Sequence, residues 1–362
     1  MTLWHLKALL CYMLANCVLP WYAIWRNKRL RPNKERDLPK YLPFVRNDYD
    51  TWSYLECIWT HFFFLPRYII LLLILIYASL VTKIITIGCD IENLDETRRK
   101  LILDHTCFAM RVFGPIFGCL SFTTERPKVD YSKWLGPDWK PNYDGATMYV
   151  SNHMSWNEMF NTFLFARPMP GFIAKHGVKE IPSVGVIATC IRSVFMDRTS
   201  KELRHKVFEI IEERQKKCEQ GLAPPLLIFP EGCTTNGQYL LSFKSGAFAS
   251  LKPVKPYINK TNCNRCNQAM GSVLNLWHWT FVVPFKGLFY SSEQLELPVF
   301  APNEYFWKHH WDGKDEKEKW KVFANAVREE MAKAGGFQLS DSTMDTKMEY
   351  KNLVWGKIGK DV

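Results

Sequence analysis

One long apolar run constrains the fold of this chain more than any other stretch. Tyr68 to Cys89 contains a single charged residue, Lys83, and its centre reads Ile-Ile-Leu-Leu-Leu-Ile-Leu-Ile-Tyr. A buried helix of a soluble protein is seldom apolar on all sides over such a length. The run therefore predicts a membrane-embedded helix.

A second apolar stretch, Leu101 to Phe122, follows closely. It is interrupted by Asp104, His105 and Arg111 and is broken at Gly114-Pro115. Charged residues inside such a stretch are costly in lipid, which favours an amphipathic or re-entrant partner of the first helix over an independent span. Together the two stretches predict an N-terminal membrane-embedded helical hairpin that enters and leaves one leaflet, with the rest of the chain on the same side.

Ala8 to Trp25 form an uncharged run that reaches the lower length limit for a membrane span, although it contains Asn16 and Pro20. Three interpretations remain open: a signal-anchor span, a re-entrant or interfacial helix, and a cleaved signal peptide. A basic cluster follows, which either attracts anionic headgroups from the cytoplasmic side or forms a solvated linker. Its members are Arg26, Lys28, Arg29, Arg31, Lys34 and Arg36.

The composition narrows the function classes. Hydrophobic residues make up 47% of the chain, which excludes disorder as the default, and 14 Trp residues suit a membrane-proximal protein. The net charge of +11 adjoins apolar segments, and no nucleic-acid-binding signature accompanies it, so no nucleic-acid partner is predicted. Eleven scattered cysteines suggest no disulfide framework or zinc site. Cys263 and Cys266 form the single Cys-x-x-Cys motif of the sequence. Without a second such motif, they fit a loop with two thiols better than a metal or redox site.

The rest of the chain predicts an α/β fold, a mixed sheet flanked by helices with functional residues at strand ends. The predicted strands are Thr147–Ser151, Gly171–Ala174, Ser193–Met196, Leu226–Phe229 and Thr280–Phe285, and the helices are Glu158–Phe165, Lys201–Lys217 and Asp315–Ala334. The predicted organisation is an apolar and basic segment (1–60), a membrane-embedded helical region (61–122), a Pro/Gly-rich linker (123–143), a catalytic domain (144–312) and a C-terminal helix and tail (313–362).

A histidine and a carboxylate follow the first strand of the predicted domain. His153 comes just after the apolar residues, and Ser155 to Glu158 has the Ser-x-x-Glu spacing of a helix cap. Inside one helix, five residues of separation would place the two side chains about 140° apart around the axis. The pair therefore requires a loop-to-helix junction, where the carboxylate can accept Nδ1–H and leave Nε2 free to take a proton. Spacing alone leaves open the simpler interpretation, a helix cap beside an ordinary loop histidine.

A second carboxylate lies in a tight turn, in the sequence Leu226-Leu-Ile-Phe-Pro-Glu-Gly-Cys-Thr-Thr-Asn-Gly. With both sites in this order, the chain resembles the glycerolipid acyltransferases, which move an acyl group from acyl-CoA to a lysophospholipid or a glycerol phosphate. The first motif of that family is Asn-His followed by four residues and an acid. Asn152, His153 and Glu158 match it, although most members have Asp in place of Glu158.

The other family motifs follow in order. Ala174-Lys175 to Asp197-Arg198 is similar to the second motif, Phe229-Pro230-Glu231-Gly232 to the third, and Val282-Val283-Pro284 to the fourth. Within the family, the stretches beginning at Thr234 and Phe243 most resemble lysophosphatidylcholine and lysophosphatidylethanolamine acyltransferases. Cys233 departs from the pattern, since those enzymes usually have Thr, and this puts the local contacts in doubt rather than the reaction.

The resemblance implies a role for each matching residue. His153, oriented by Glu158, is the expected base that deprotonates the acceptor hydroxyl, with no metal and no cofactor beyond the co-substrate acyl-CoA. Arg198 is expected to hold an acceptor phosphate with help from Lys175, unless it only pairs with Asp197 or Glu202. The remaining substrate-binding candidates are Asn152, Glu231, Gly232 and Thr234, of which Glu231 either bonds a glycerol hydroxyl or fixes its loop.

The resemblance also implies a membrane-bound enzyme of the endoplasmic reticulum. Its expected partners are acyl-CoA, a lysophospholipid or glycerol phosphate acceptor, and the lipid bilayer. Three alternatives remain: a glycerol-3-phosphate acyltransferase, a CoA-independent phospholipid transacylase, and an inactive membrane-anchored lipid-binding or scaffold protein. The sequence predicts no oligomeric state.

Overall fold

The computed structural model describes residues 3–51, 54, 64–116, 118–155, 158–196, 201–263, 267–270, 273–274 and 289–356. Its helices are α1 (Leu3–Arg26), α2 (Phe64–Ile85), α3 (Glu96–Ile116), α4 (Ser132–Leu135), α5 (Glu158–Phe165), α6 (Val184–Cys190), α7 (Lys201–Glu219), α8 (Glu304–His310), α9 (Lys319–Gly335) and α10 (Met344–Trp355). Its strands are β1 (Cys119–Glu125), β2 (Met148–Ser151), β3 (Gly171–Lys175), β4 (Val194–Met196), β5 (Leu226–Ile228), β6 (Tyr239–Leu241), β7 (Val254–Asn262), β8 (Tyr290–Glu296) and β9 (Gln338–Ser340).

Seven of these strands form one sheet in the order β1-β8-β7-β2-β5-β3-β4. Neighbouring strands run parallel except for β7 and β8, which are antiparallel. The predicted mixed sheet is therefore confirmed, and β6 and β9 form a separate parallel pair. Because β2, β5 and β3 are parallel neighbours, their carboxyl ends meet at one edge of the sheet, where ligands bind in such folds. The predicted strand Thr280–Phe285 lies outside the described residues.

The main core lies between the sheet and its helices, and it reaches beyond the predicted catalytic domain. Tyr131 and Trp134, in the segment predicted as a linker, are buried in the same cluster as Val150 of β2. Phe323 and Val327 of α9 are fully buried there as well. Within the segment predicted as a linker (123–143), these aromatic side chains therefore anchor the chain to the core between its turns. The domain boundaries themselves stay a prediction.

The helical hairpin consists of α2 and α3, which pack against each other. By length and composition α1 and α2 are the two described helices that could cross a membrane, with mean hydropathies of 1.5 and 2.4 over their most apolar windows. The region 61–122, predicted to be helical and embedded in the membrane, is not helical as far as residue 122. The helix ends at Ile116, Gly118 turns the chain at a φ of +99°, and Cys119 begins the strand β1.

A second, smaller core joins the two ends of the chain. Tyr41 and Phe44 from the N-terminal segment pack with Tyr350 and Val354 of α10 around Leu241 of β6. Lys40 and Glu349 form an ion pair across this contact, with 2.9 Å between Nζ and Oε1. The segment 1–60 therefore contributes to the packed fold as well as supplying an apolar helix.

Candidate active site

The histidine and the carboxylate predicted from the first motif lie in contact. Nδ1 of His153 is 2.7 Å from Oε2 of Glu158. β2 ends at Ser151 and α5 begins at Glu158, so the pair spans the junction between a strand and a helix. The change from strand to helix brings together two side chains that a continuous helix would hold on different faces.

Glu158 performs two tasks at once, because its oxygens have different partners. While Oε2 faces the imidazole, Oε1 accepts the backbone N–H of Ser155 at 2.8 Å and that of Met154. The second set of bonds is half of a capping box at the start of α5. Since Glu158 is only 1% exposed, these contacts fix the carboxylate in one orientation.

The imidazole of His153 presents one nitrogen to the surroundings. Its ring stacks on Phe229, with 4.1 Å between the centroids and an angle of 18° between the planes. Its Nδ1 faces an acceptor and therefore carries the proton, which leaves a lone pair on Nε2. Nε2 has no hydrogen-bond partner among the described residues, and 27% of the side chain is exposed. The ring can thus accept a proton from a molecule bound at this surface.

Glu231, from the third motif, holds the backbone of His153 through a hydrogen bond. Its Oε1 accepts the backbone N–H of His153 at 2.7 Å, and its Oε2 accepts that of Leu241 at 2.9 Å. Of the two roles expected for this residue, the geometry matches fixing the loop, because the carboxyl group is 2% exposed and bonded on both sides. Burial raises the pKa of Glu231 to about 8, although the two backbone bonds oppose the rise.

The turn after Glu231 has a backbone conformation that favours glycine at position 232. Gly232 has a φ of +72°, in the left-handed region that residues with a Cβ rarely adopt. A Cβ atom built on it would also lie 2.7 Å from Nζ of Lys244. Gly232 therefore shapes the turn through its backbone.

Comparison with known proteins identifies the family of the chain. The family model for acyltransferases matches residues 136–259, which include both motifs. Lysophospholipid acyltransferase LPEAT1 of Arabidopsis thaliana is 32% identical over 287 residues, which cover 75% of this chain and 68% of that protein. This chain belongs to the acyltransferase family.

Two further similarities accompany this assignment. Human lysophosphatidylcholine acyltransferase 1 is 30% identical to this acyltransferase-family chain over 208 residues, 56% of this chain but only 35% of that protein. The chain thus matches about a third of that relative's length. The crystal structure of the 1-acyl-sn-glycerophosphate acyltransferase PlsC from Thermotoga maritima superposes with a TM-score of 0.45 at 15% identity, covering 77% of this chain and 98% of that one.

Asn152, expected to bind substrate, belongs to the framework of the candidate site. Its Oδ1 accepts the backbone N–H of Asn259 at 2.7 Å, and its Nδ2 donates to the carbonyl of the same residue at 3.0 Å. Asn152 is 3% exposed. It extends the pairing of β2 with β7 by one residue and so sets the position of His153; direct contact with substrate stays a prediction.

Two buried asparagines that sequence reasoning missed complete this framework. Asn259 of β7 donates its Nδ2 to the hydroxyl of Ser151 at 2.8 Å, and Asn161 of α5 donates to Oδ1 of Asn259 at 3.0 Å and to the Ser292 hydroxyl at 2.8 Å. The bonds connect β2, β7, β8 and α5 behind the histidine. The sequence offers no local signal for them, since each is a single amide in an otherwise ordinary strand or helix.

Thr234 is held by a lysine that sequence reasoning also missed. Nζ of Lys347, on α10, donates to the Thr234 carbonyl at 2.9 Å and to its hydroxyl at 2.7 Å. The ammonium group lies 5.9 Å from the centroid of the Phe44 ring. Burial lowers the pKa of Lys347 to about 8. Substrate binding by Thr234 stays a prediction.

The second and fourth motifs are described only in part. Lys175 ends β3 at the same sheet edge as His153, but its side chain is not among those described. Arg198, Cys266 and Val282-Val283-Pro284 lie outside the described residues. Within the described part of the chain, no three His, Cys, Asp or Glu side chains gather as ligands for a metal ion.

Proposed function

We propose that this protein transfers a fatty acyl group from acyl-CoA to the hydroxyl group of a lysophospholipid, with His153 as the general base. The observation that carries the proposal is the 2.7 Å contact between Nδ1 of His153 and Oε2 of Glu158, which leaves Nε2 available. Membership of the acyltransferase family supports acyl transfer. The names of the relatives, lysophospholipid and lysophosphatidylcholine acyltransferases, support the acceptor class.

The proposed reaction needs one proton shuttle. Nε2 takes the proton of the acceptor hydroxyl while the hydroxyl oxygen bonds to the carbonyl carbon of the thioester. The Glu158 carboxylate stabilises the imidazolium that results. The carbon–sulfur bond then breaks, and the sulfur of CoA takes the proton back from Nε2. The products are the acylated lipid and free CoA, and no bond forms between enzyme and acyl group.

The proposed site of action is the membrane, with the endoplasmic reticulum as the proposed compartment. Both the lysolipid and the acyl chain partition into lipid, so an enzyme embedded beside its substrates spares them a passage through water. The apolar helices α1 and α2 supply large exposed apolar side chains, among them Trp4 and Leu73. We therefore propose that the protein is an integral membrane enzyme whose hairpin lies in one leaflet.

The proposal is tested with the purified full-length protein in neutral lipid nanodiscs. Turnover is measured against a panel of lysophospholipids and glycerol 3-phosphate with acyl-CoAs of graded length. His153→Ala is expected to abolish acyl transfer while the protein still co-purifies with membranes. His309→Ala, which changes an exposed histidine of α8, is the control and should turn over normally.

Three outcomes would contradict the proposal. Turnover by His153→Ala at the rate of the unchanged protein would remove the histidine from the mechanism. Acyl transfer from a phospholipid without acyl-CoA would indicate a transacylase. Absence of any transfer across the panel, in folded protein, would favour a lipid-binding or scaffold role.

A further inference from the structure

One buried residue, Asn259, is bonded to both halves of the structure around His153 and Glu158. It belongs to β7 and is 1% exposed. Its hydrogen-bond partners include the end of β2, which leads into His153, and α5, the helix that begins with Glu158. Asn259 is therefore placed to relate the position of the histidine to that of the carboxylate.

The first set of contacts leads from Asn259 to the histidine. The backbone N–H and carbonyl of Asn259 pair with the side-chain amide of Asn152 at 2.7 Å and 3.0 Å. Its own Nδ2 donates to the hydroxyl of Ser151 at 2.8 Å. Asn259 thus holds the two residues that precede His153 in the chain, and all of these groups are buried. The loop that carries the imidazole begins at a point that Asn259 fixes.

The second set of contacts leads from Asn259 to the helix of Glu158. Asn161 lies three residues after Glu158 on α5, so the two side chains are neighbours on the helix surface. Nδ2 of Asn161 donates to Oδ1 of Asn259 at 3.0 Å and to the hydroxyl of Ser292, on β8, at 2.8 Å. Because α5 has only eight residues, its orientation depends on such tertiary contacts. These bonds therefore fix the rotation of the helix that presents Glu158.

The energetics of this cluster favour a positioning role over a stabilising one. Gln294 of β8 also directs its Nε2 at Oδ1 of Asn259, at 3.4 Å, and both Gln294 and Asn161 are fully buried. Oδ1 of Asn161 and Oε1 of Gln294 have no hydrogen-bond partner among the described residues. Partly satisfied amides in a core add little stability, and apolar side chains of the same shape would pack as well. Hydrogen bonds differ from apolar contacts in that they fix direction.

We propose that Asn259 and Asn161 are positioning residues, and that the hydrogen bond between their amides sets the orientation of the His153 ring relative to Glu158. This bond is here called the amide brace. The proposal rests on the proposed function, in which His153 is the general base. One end of the brace fixes the loop of the imidazole and the other fixes the helix of the carboxylate, so its loss moves the two groups relative to each other. A displacement of about 1 Å at a reacting group can lower a rate about 100-fold.

Hydrogen exchange tests the amide brace without requiring turnover. The backbone N–H groups of Met154 and Ser155 are bonded to Glu158, so their exchange reports how firmly α5 holds its carboxylate. In Asn161→Leu the peptide that contains them should exchange roughly fivefold faster or more, the effect of losing one hydrogen bond of ordinary strength. Mass spectrometry of the full-length protein in neutral nanodiscs measures the rate.

Gln215→Leu is the matched control. Gln215 is a fully buried amide of α7 that donates to the hydroxyl of Thr147 at 3.1 Å, and its Oε1 has no partner within the described part of the chain. It resembles Asn161 in burial and chemistry, but Thr147 lies at the opposite end of β2 from His153. Its replacement should leave the exchange at Met154 unchanged, whatever it does to the melting temperature. Equal acceleration in both variants, or none in either, would overturn the proposal.

Kinetics tests whether the amide brace serves the reaction. Asn161→Leu and Asn259→Leu should each lower kcat roughly tenfold or more with little change in the KM of either substrate, because the brace positions the base and binds no substrate. Since both changes break the same bond, the double variant should be no slower than the slower single variant. Losses that multiply in the double variant would mean that each asparagine acts separately, and the brace would be wrong.

Asn259→Asp separates positioning from stability. A carboxyl group has the shape of the amide and keeps the acceptor for Asn161, so this variant should retain more of kcat than Asn259→Leu. It also buries a group that can ionise, so it should be the less stable of the two. A merely structural role would give the opposite order of rates.

The two arms separate the brace from the proposed function. If exchange depends on the amide brace but the unchanged protein transfers no acyl group, the proposed function fails and the brace stands. If the unchanged protein transfers acyl groups and both Leu variants keep its kcat, the proposed function stands and the brace is wrong.

Discussion

At the scale of single residues, Glu158 shows how one carboxylate can both cap a helix and hold a histidine ring. One oxygen holds the first turn of α5 and the other holds the imidazole, so anchoring the helix also fixes the direction of His153. A base held in this way loses little entropy on the way to the transition state. Because both oxygens of Glu158 have partners, we expect even a conservative substitution at this position to disturb the contact with His153.

Glu158→Gln is expected to lower kcat at least about 100-fold, the lower range of general-base contributions. An amide retains only one acceptor oxygen, so either the N–H groups of Met154 and Ser155 or the Nδ1–H of His153 must face an NH₂ group. Turnover of purified protein, together with circular dichroism to verify folding, measures the effect. Glu158→Asp, which keeps a carboxylate on a shorter side chain, should recover part of the rate; a Gln variant as active as the unchanged protein would reduce Glu158 to a cap.

Glu231→Gln should change how stability depends on pH. Burial raises the pKa of Glu231 to about 8, well above the value near 4.3 of an unfolded chain. A carboxyl group with a raised folded pKa stabilises the fold fully below its unfolded pKa, and this contribution is lost as pH rises towards 8. The unchanged protein should therefore lose stability relative to the Gln variant between about pH 4.5 and pH 8.

Melting temperatures of both proteins across this range are the measurement. The amide places an NH₂ group against the N–H of His153 or Leu241 at every pH, so it lowers stability by a constant amount and leaves the slope interpretable. Parallel curves for the two proteins would mean that Glu231 does not titrate in this range.

At the scale of elements, short sequence patterns predicted the strand and the helix on either side of His153. The strand expected at Thr147–Ser151 is present as Met148–Ser151, and the helix expected at Glu158–Phe165 has those limits. An apolar run and a capping acid specify both within a few residues. The spacing alone did not decide whether His153 contacts Glu158 or whether Glu158 only caps the helix. The match to the family motifs favoured the contact.

Long-range partners were beyond the reach of the sequence. Asn152 bonds to Asn259, which is 107 positions away, and Thr234 bonds to Lys347, which is 113 positions away. Nothing in the residues around either partner encodes the other, because the fold alone brings them together. The same holds for Tyr131 and Trp134, whose polar and Pro-rich surroundings resemble a linker although both side chains are buried.

Lys347→Ala tests whether α10 secures the loop after the third motif. Removing Nζ leaves the Thr234 carbonyl without its donor, which should lower the free energy of unfolding by about 1–3 kcal/mol. Lys351→Ala, one turn further along α10, should stay within about 0.5 kcal/mol of the unchanged protein. Chemical denaturation in detergent measures both. Equal losses in the two variants would show that the bond to Thr234 contributes nothing specific.

At the scale of the whole molecule, the N-terminal segment and α10 pack beside the loop that follows Glu231. Asn236 donates its Nδ2 to the carbonyls of Leu42 and Val45, and Tyr350 donates its hydroxyl to Asp37 at 3.0 Å. The loop that follows Glu231 is therefore held between the N-terminal segment and α10. The hairpin has the opposite character, since α2 packs on α3 and presents most of its apolar side chains outward.

The outward side of the hairpin predicts which residues meet lipid. A photoactivatable apolar reagent dissolved in proteoliposomes should label Ile69, Leu73 and Leu80 of α2, each more than half exposed, because a surface of this kind is stable only in an apolar medium. On α3 it should label Phe108 but not the fully buried Ile102. The helix α9 is the internal control: Phe323 and Val327 are as apolar as their counterparts in α2 but lie inside the core, so labelling should reach them only after unfolding. Peptide mass spectrometry reads out the sites, and labelling confined to α1 would place the hairpin outside the bilayer and contradict its proposed insertion into one leaflet.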